Sequence, residues 1–180
     1  PNMYIERQWD KLTSVIDAFP LATVILHEKD DGELLHASLP LIVDSNEDYK
    51  LLGHMAARNR MTPFFNKAKV TLIFHGPDSY VSPFWYTSDN NLPTWNMMKV
   101  HLTGQIQLVN ERKTAIDILQ RQNKHFEQLD EPRWQLQANN PRMHQLLDEI
   151  KVFVVNVEEA EGMYKMSQDK DNADRERVMD

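Results

Sequence analysis

The segment from Tyr80 to Tyr86, YVSPFWY, holds four aromatic residues in seven positions, beside a proline that restricts the chain. A flat heteroaromatic ligand suits such a wall, because its ring stacks on aromatic faces while polar tips hydrogen-bond its edges. Ser82 and Trp85 are therefore candidate ligand contacts. The same composition equally predicts an aromatic cluster that seals a core or a dimer interface, and both could hold at a subunit boundary.

The segment 53–59, GHMAARN, combines small residues with donors of hydrogen bonds. Its glycine and alanines keep the backbone open. Arg58 offers a planar fork of N–H groups that matches a phosphate. His54 and Asn59 could add further donors to the same group. The alternative is the start of a helix that carries a surface arginine.

The segment 92–96, LPTWN, precedes a predicted strand. Thr94 and Asn96 place hydrogen-bonding groups on either side of the Trp95 indole. This pattern predicts contacts to the edge of a ring, and its alternative is an ordinary turn that leads into a strand.

The segment 161–168, EGMYKMSQ, follows the last predicted strand. Lys165 is a mobile cation and Gln168 is a neutral hydrogen-bonding group, so the pair could complete a phosphate or ring-edge site. The alternative is a solvated extension of the chain.

Other kinds of site find no support in the sequence. The seven histidines show neither HExxH nor any other metal-ligand spacing, and there is no cysteine. The motifs GxSxG, GxGxxG and GxxxxGK[ST] are absent, which argues against a hydrolase elbow, a Rossmann site and a P-loop. No catalytic residue and no metal ligand is therefore predicted.

Hydrophobic periodicity indicates the elements that must position these groups. It predicts helices over 6–19, 58–67, 111–128 and 141–149, and strands over 21–26, 34–43, 49–55, 70–75, 100–109 and 152–157. Turns are predicted at 30–32, 44–48 and 76–78, and the tail after residue 168 as a solvated helix or a disordered segment. About six strands in hairpin order favour a small closed antiparallel barrel over a parallel sheet.

Length and composition set limits on the class of protein. The 180 residues fit one domain, 1–180, with a polar C-terminal segment at about 169–180, and 41% hydrophobic residues suffice for a core. No long apolar run and no signal-peptide pattern is visible, so we expect a cytoplasmic protein. The formal net charge of −7 argues against direct DNA binding, which needs a basic face.

Taken in order, these segments resemble the PaiB-type family of FMN-binding negative transcriptional regulators. The resemblance extends from residue 3 to about 178 and rests on Met3-Tyr4-Ile5, Leu39-Pro40-Leu41, Gly53 to Asn59, Gly76 to Tyr86, Pro93 to Asn96 with Val100-His101, and Glu161 to Gln168. It implies a mainly β fold with flanking helices, an antiparallel split β-barrel of the FMN-binding type. Such proteins are usually homodimers with the flavin near the interface.

By this resemblance, the Arg58 turn would take the FMN phosphate. Trp95 and Asn96 would lie near the isoalloxazine, and Lys165 and Gln168 would approach from the C-terminal segment. The chain departs from the family pattern where Ser38 replaces a histidine, where Met97 replaces a tyrosine, and where the 53–59 segment has an extra alanine. The first two departures alter positions that could touch the ligand.

Three functions remain open from the sequence. The first is a flavin-linked regulator or sensor, which follows the family resemblance. The second is a flavin-dependent oxidoreductase or flavin reductase with a nicotinamide or other redox partner, because flavin supplies redox chemistry that a protein need only position. The third is an interaction module without a cofactor, which the departures at Ser38 and Met97 suggest.

Overall fold

The computed structural model describes residues 2–27, 34–88, 90–128 and 134–179. Within these ranges the strands are β1 (Ile5–Glu6), β2 (Leu21–His27), β3 (Leu34–Val43), β4 (Lys50–Ala56), β5 (Lys69–Val81), β6 (Thr94–Leu108) and β7 (Ile150–Lys165). The α-helices of the same ranges are α1 (Trp9–Ala18), α2 (Arg112–Glu127), α3 (Pro141–Glu149) and α4 (Asn172–Met179).

The strands form one antiparallel sheet that closes on itself. Their order is β1-β7-β4-β3-β2-β5-β6, and a further pairing of β7 with β6 completes a ring of six strands. The short β1 adds to the free edge of β7, where Ile5 pairs with Met163. This architecture confirms the predicted mainly β fold, an antiparallel barrel with flanking helices.

The interior of the barrel follows from strand alternation. On β6, Val100, Leu102 and Ile106 are fully buried, while the intervening side chains face outward. Helix α1 covers the barrel with Leu12 and Ile16, which are spaced four residues apart on one helical face and are also fully buried. Burial of each such side chain stabilises the fold by about 1.5–3 kcal/mol.

Helix α2 builds a second apolar cluster on the outside of the barrel. Ile118 and Leu119 pack there with Ile42 of β3 and Leu52 of β4, and Met143 of α3 joins the same cluster. The outward side of β3 and β4 is therefore buried at this place, which explains the nearly continuous apolar sequence of these two strands.

The predicted turn at 76–78 is wrong, because β5 continues through it to Val81. The pairing of β5 with β6 shifts register between His75 and Asp78, so a bulge absorbs the glycine and proline without ending the strand. β6 correspondingly begins at Thr94 rather than at residue 100. The two strands extend together beyond the barrel as a ribbon, and this ribbon carries the aromatic segment.

Two further elements differ markedly from the sequence prediction. The helix predicted over 58–67 is only a 3-10 turn at Thr62–Phe64. Pro63 lies in the middle of the predicted helix, where it lacks the backbone N–H that a continuous helix needs. β7 continues past residue 157 to Lys165, where pairing with β6 overrides a polar sequence that is weak in strand propensity. The tail forms α4, which confirms the helical alternative.

Strands β2 and β3 pair antiparallel, as predicted, and Leu26 lies opposite Leu35. The predicted turn at 30–32 lies outside the described residues. Among the described helices, none has both the length and the apolar character needed to cross a membrane.

Candidate functional site

Arg58 lies in a turn at the end of β4. The Ala57 N–H donates to the Glu149 carbonyl over 2.8 Å, and the Asn59 N–H donates to the Ala56 carbonyl over 3.0 Å. The Asn59 side chain accepts from the Met61 N–H at 2.9 Å, so it stabilises the turn itself. Arg58 is exposed. The turn therefore presents a charged donor to solvent, as a phosphate contact requires.

His54, predicted as a partner of Arg58, is held by α2 instead. Its Nδ1 lies 2.8 Å from the Gln122 Oε1. The Gln122 Nε2 donates to the carbonyls of Pro40 and Leu52 over 3.3 Å each, which leaves Oε1 as an acceptor. The His54 Nδ1–H therefore donates to the Gln122 Oε1. Gln122, which positions the His54 ring, was not predicted as a site residue.

Thr94, Asn96 and Lys165 are brought together in a cavity of about 370 Å³, which we call the Tyr86 cavity. Its polar lining comprises Tyr4, Tyr86, Asn90, Asn91, Thr94, Asn96, Lys165, Ser167, Asp169 and Lys170. The Lys165 Nζ donates to the Thr94 hydroxyl. Asn96 is buried, and its amide and carbonyl oxygen lie 3.0 and 3.1 Å from the Ser167 hydroxyl. The structure thus joins the segments 92–96 and 161–168, as their predicted roles require.

Gln168 lies in the same segment, but its side chain bonds to backbone groups of that segment. Its Nε2 donates to the Tyr164 carbonyl over 2.5 Å, and its Oε1 accepts from the Met166 N–H at 2.6 Å. Between these residues Ser167 has a φ of 56°, an uncommon conformation for a residue other than glycine. Gln168 therefore holds the tight end of β7 that directs Ser167 towards Asn96.

Trp95 points away from this cavity, because neighbouring residues of a strand face opposite sides. It pairs across the ribbon with Tyr80, and the two rings meet edge to face with centroids 6.0 Å apart. Both rings are exposed, as are Phe84 and Trp85 in the following 3-10 turn. The aromatic segment thus forms an exposed patch, defined by Tyr80, Phe84, Trp85 and Trp95.

Ser82, a predicted ligand contact, begins that 3-10 turn. Its hydroxyl accepts from the Phe84 N–H at 3.3 Å and so caps the turn. The role that the structure shows for Ser82 is therefore to position Phe84 and Trp85, which it does without lining the Tyr86 cavity.

The two departures from the family pattern lie on outward positions of the sheet. Ser38 is exposed on β3 opposite Thr23, and Met97 lies on β6 between Asp78 and Lys165. Met97 therefore borders the ribbon on the same face as Trp95, and Ser38 lies away from the Tyr86 cavity lining.

Helix α4 holds one wall of the Tyr86 cavity in place. The Asp174 carboxylate accepts from the Thr87 N–H at 2.7 Å and from the Thr87 hydroxyl at 2.8 Å. The bond from the Thr87 N–H is the larger cause, and the bond from the Thr87 hydroxyl the next, that lowers the pKa of Asp174 below its usual value. On the opposite wall, burial and the nearby Asp169 carboxylate raise the pKa of Tyr4, which keeps its hydroxyl protonated.

The predicted contacts fall into two groups at opposite ends of β7. Ala56, next to the Arg58 turn, pairs with Ile150, whereas Met97, next to the cavity, pairs with Lys165. Fifteen residues of extended strand correspond to roughly 50 Å along the chain. The structure therefore gathers Thr94, Asn96 and Lys165 in one place and leaves Arg58 and His54 in another.

Tyr4, Tyr86 and Lys170 line the cavity but were not predicted as site residues. Tyr86 belongs to the aromatic segment, so its neighbours gave a signal. Lys170 lies after the last recognisable motif, in a stretch where the sequence gives no signal of a site. Among the described residues, no three histidine, aspartate or glutamate side chains are grouped as metal ligands.

Comparison with known proteins identifies the family. Residues 1–159 match the model of a family described as "Putative FMN-binding domain". The chain belongs to this family. It is also 26% identical, over 99% of its length and 88% of the other chain, to Protease synthase and sporulation protein PAI 2 of Bacillus subtilis (strain 168).

Solved structures share the fold at low sequence identity. The FAD and heme binding protein from Mycobacterium smegmatis matches with a TM-score of 0.70 and 14% identity, covering 96% of this chain and 78% of that one. The flavocytochrome Anf3 from Azotobacter vinelandii matches with a TM-score of 0.68 and 14% identity, covering 96% and 74%. These similarities confirm the split-barrel architecture.

The family assignment makes this chain a flavin-binding protein with FMN as its cofactor. The described residues fit that group: exposed aromatic rings at Trp85 and Trp95 suit an isoalloxazine, and Arg58 and Lys165 suit a phosphate or a ring edge. When bound, FMN supplies a ring that accepts and returns electrons. The chain's own groups provide stacking surfaces, hydrogen bonds and positive charge.

Proposed function

We propose that this protein is a flavin-linked regulator or sensor that acts as a homodimer, with FMN held between the two chains. The observation that carries the proposal is the separation of the predicted contacts. Arg58 follows Ala56, which pairs with the first residue of β7, whereas Lys165 is the last residue of β7. A single FMN that uses both groups needs the Arg58 turn of one chain and the ribbon of another.

The exposed aromatic patch supports the dimer. Phe84 is 87% exposed, and Tyr80, Trp85 and Trp95 are between 40% and 51% exposed. Exposed aromatic side chains of this kind are typical of binding sites and subunit interfaces. A closed two-fold dimer would cover both copies of the patch with the same set of contacts.

The name of the Bacillus subtilis relative and the net charge of this chain support the regulatory role. The name of the Bacillus subtilis relative refers to sporulation, which is a process rather than a catalysed reaction. The net charge of −7 disfavours a protein that grips DNA by itself. We therefore propose regulation through a protein partner whose binding depends on the state of the flavin.

Three measurements test this proposal. A visible absorption spectrum of the freshly purified protein should show bound flavin. Sedimentation should give a dimer, and a mass near the 21.1 kDa of one chain would refute the shared site. Gel-shift assays at low salt should show no DNA binding, whereas a salt-sensitive shift would establish the direct mode of regulation.

A second candidate function, a flavin-dependent oxidoreductase or flavin reductase, is favoured by the Tyr86 cavity. Its volume of about 370 Å³ lies in the range of small-molecule sites, so a second substrate could enter beside Lys165. Oxidation of NADH or NADPH in the presence of FMN tests this function. Steady turnover would establish an enzyme, and no turnover with either nicotinamide would favour the regulator.

A further inference from the structure

Among the described residues, the Tyr86 hydroxyl has no hydrogen-bond partner. Within the described residues, it is the one fully buried side-chain nitrogen or oxygen for which the chain supplies none. The whole residue is 5% exposed, and it lines the cavity of about 370 Å³. Buried polar groups are nearly always paired, because an unpaired donor loses its water without compensation. A donor left over in a cavity wall points to a ligand that accepts its bond.

Two ammonium groups line the same cavity. The Lys170 Nζ is 4.9 Å from the centre of the Tyr86 ring, and it also donates to the Asn91 side chain over 2.9 Å. The Lys165 Nζ is 5.9 Å from the centre of the Tyr4 ring. A protonated amine over an aromatic face is held by the ring's quadrupole and keeps further N–H groups for a ligand.

The charge of the cavity differs in sign from that of the whole chain. Among its lining residues, Lys165 and Lys170 are cations and Asp169 is the carboxylate. Asp169 lies 3.8 Å from the Lys170 Nζ and offsets part of that charge. One positive charge remains in excess, although the chain as a whole carries −7. A concave site lined in this way attracts small anions.

Bonds that do not involve the donors also help to fix the walls of the cavity. Asn96 bonds to Ser167, which adopts a left-handed backbone conformation with a φ of 56°. Asp174 of α4 holds Thr87, the residue after Tyr86. A non-glycine residue in this conformation needs support from its surroundings, and such residues cluster at ligand sites.

We propose that the Tyr86 cavity binds an oxyanion, the phosphate or carboxylate group of a small molecule, with the Tyr86 hydroxyl and the ammonium groups of Lys165 and Lys170 as donors. The anion can come from the phosphate of FMN itself or from a separate anionic ligand. The donors are the same in both cases, and oxyanion binding does not depend on the regulatory role proposed above.

Inorganic phosphate is the probe for this site. Titration calorimetry on the full chain should show saturable phosphate binding, and phosphate should raise the thermal midpoint by mass action. Tyr86→Phe and Lys170→Met should each weaken phosphate binding about 10-fold, the scale of one hydrogen bond in an ion's shell. Lys69→Met, which removes an exposed cation at the other end of β5, should leave the affinity unchanged.

Tyr86→Phe also separates a ligand role from a structural one. It removes an oxygen that bonds to no described group, so the phosphate-free variant should melt at or above the wild-type temperature. Phosphate should stabilise the wild type and have little effect on the variant. A lower midpoint without phosphate would show that the hydroxyl supports the fold, and would overturn the proposal.

Comparison of FMN with riboflavin identifies the source of the anion. If the FMN phosphate occupies the cavity, Lys170→Met weakens FMN binding, leaves riboflavin binding unchanged, and inorganic phosphate competes with FMN. If a separate ligand occupies it, phosphate and FMN bind together and Lys170→Met affects phosphate alone. Either result supports the site, whereas equal phosphate affinity in the wild type and both variants, or no binding in any of them, refutes it.

Discussion

The Arg58 turn and the Tyr86 cavity are two places where this chain offers positive charge to an anion, and they are built differently. In the turn, backbone groups and the Asn59 side chain form hydrogen bonds within the chain, and the Arg58 side chain is exposed to solvent. In the cavity, the cations share a concave wall with Tyr86, whose hydroxyl has no hydrogen-bond partner among the described residues. An exposed cation is screened by water and salt, whereas an enclosed one acts at lower dielectric. The turn therefore needs a second surface to become a strong site, and the cavity already has one.

The largest expected effect comes from Gly104→Ala, which disturbs the pairing of β6 with β7 between the Arg58 turn and the Tyr86 cavity. Gly104 lies at the irregularity of the β6–β7 pairing, and a Cβ there would lie 2.2 Å from the Asn156 carbonyl oxygen. Because backbone would have to move, we expect a loss of about 3 kcal/mol in unfolding free energy, measured by urea titration. Thr103→Ala, one position away on the outer face, should cost about 0.5 kcal/mol. Equal costs would show that barrel closure tolerates this change.

Arg58→Ala tests whether the turn takes the FMN phosphate. We expect FMN binding to weaken by about 1.5–3 kcal/mol, the scale of a hydrogen bond to a charged group, as measured by quenching of flavin fluorescence. Arg142→Ala removes another exposed arginine, on α3, and should leave the dissociation constant unchanged. An unchanged constant for Arg58→Ala as well would place the phosphate elsewhere, with the Tyr86 cavity as the next site to examine.

Gln122→Leu tests whether the orientation of His54, near the Arg58 turn, contributes to stability and to FMN binding. The change removes the acceptor of the His54 Nδ1–H and the donor to two carbonyls, inside a buried site. We expect a loss of about 1 kcal/mol in stability, because leucine restores part of the lost packing. Gln107→Leu, at an exposed position of β6, is the matched control and should be neutral. If FMN binding also weakens in Gln122→Leu alone, then the orientation of His54 contributes to the flavin site.

The smallest expected effect concerns the acid sensitivity of the cavity wall. The pKa of Asp174 is lowered from its ordinary value of 3.8 by its bonds to Thr87. A carboxyl with a lowered folded pKa contributes stability above about pH 4, and that contribution is lost as the pH falls through the folded value. The thermal midpoints of the wild type and of Asp174→Asn should therefore differ at pH 6 and converge only when the pH falls below the lowered pKa of Asp174 in the folded protein.

Asp148→Asn changes an exposed carboxylate that lies 3.4 Å from Arg112 and serves as the control. Its difference from the wild type should stay small at every pH, because exposed ion pairs contribute little. A constant difference between the wild type and Asp174→Asn across the whole pH range would show that α4 is held by packing and not by this carboxylate.

Local patterns predicted most of the elements. The bounds of β3 and α3 agree with the prediction to the residue, and β2 and α2 agree within one or two residues. Each of these segments has a hydrophobic period that matches its own conformation, so the neighbouring residues already determine it. The wrong turn at 76–78 has a different origin, because Gly76 and Pro77 are turn residues that the pairing of β5 with β6 absorbs in a bulge.

The sequence by itself determined the barrel, the order of its motifs and the residue types that suit a flavin, since these depend on periodicity and on side-chain chemistry. Only the tertiary structure decided which of those residues meet. Closure of β6 on β7 brings Asn96 to Ser167 and Lys165 to Thr94, and it leaves Arg58 at the far end of the strand. The Tyr86 cavity joins Tyr4, Tyr86 and Lys170 from three separate segments. No local pattern could join them, because their proximity results from long-range strand pairing and from the docking of α4.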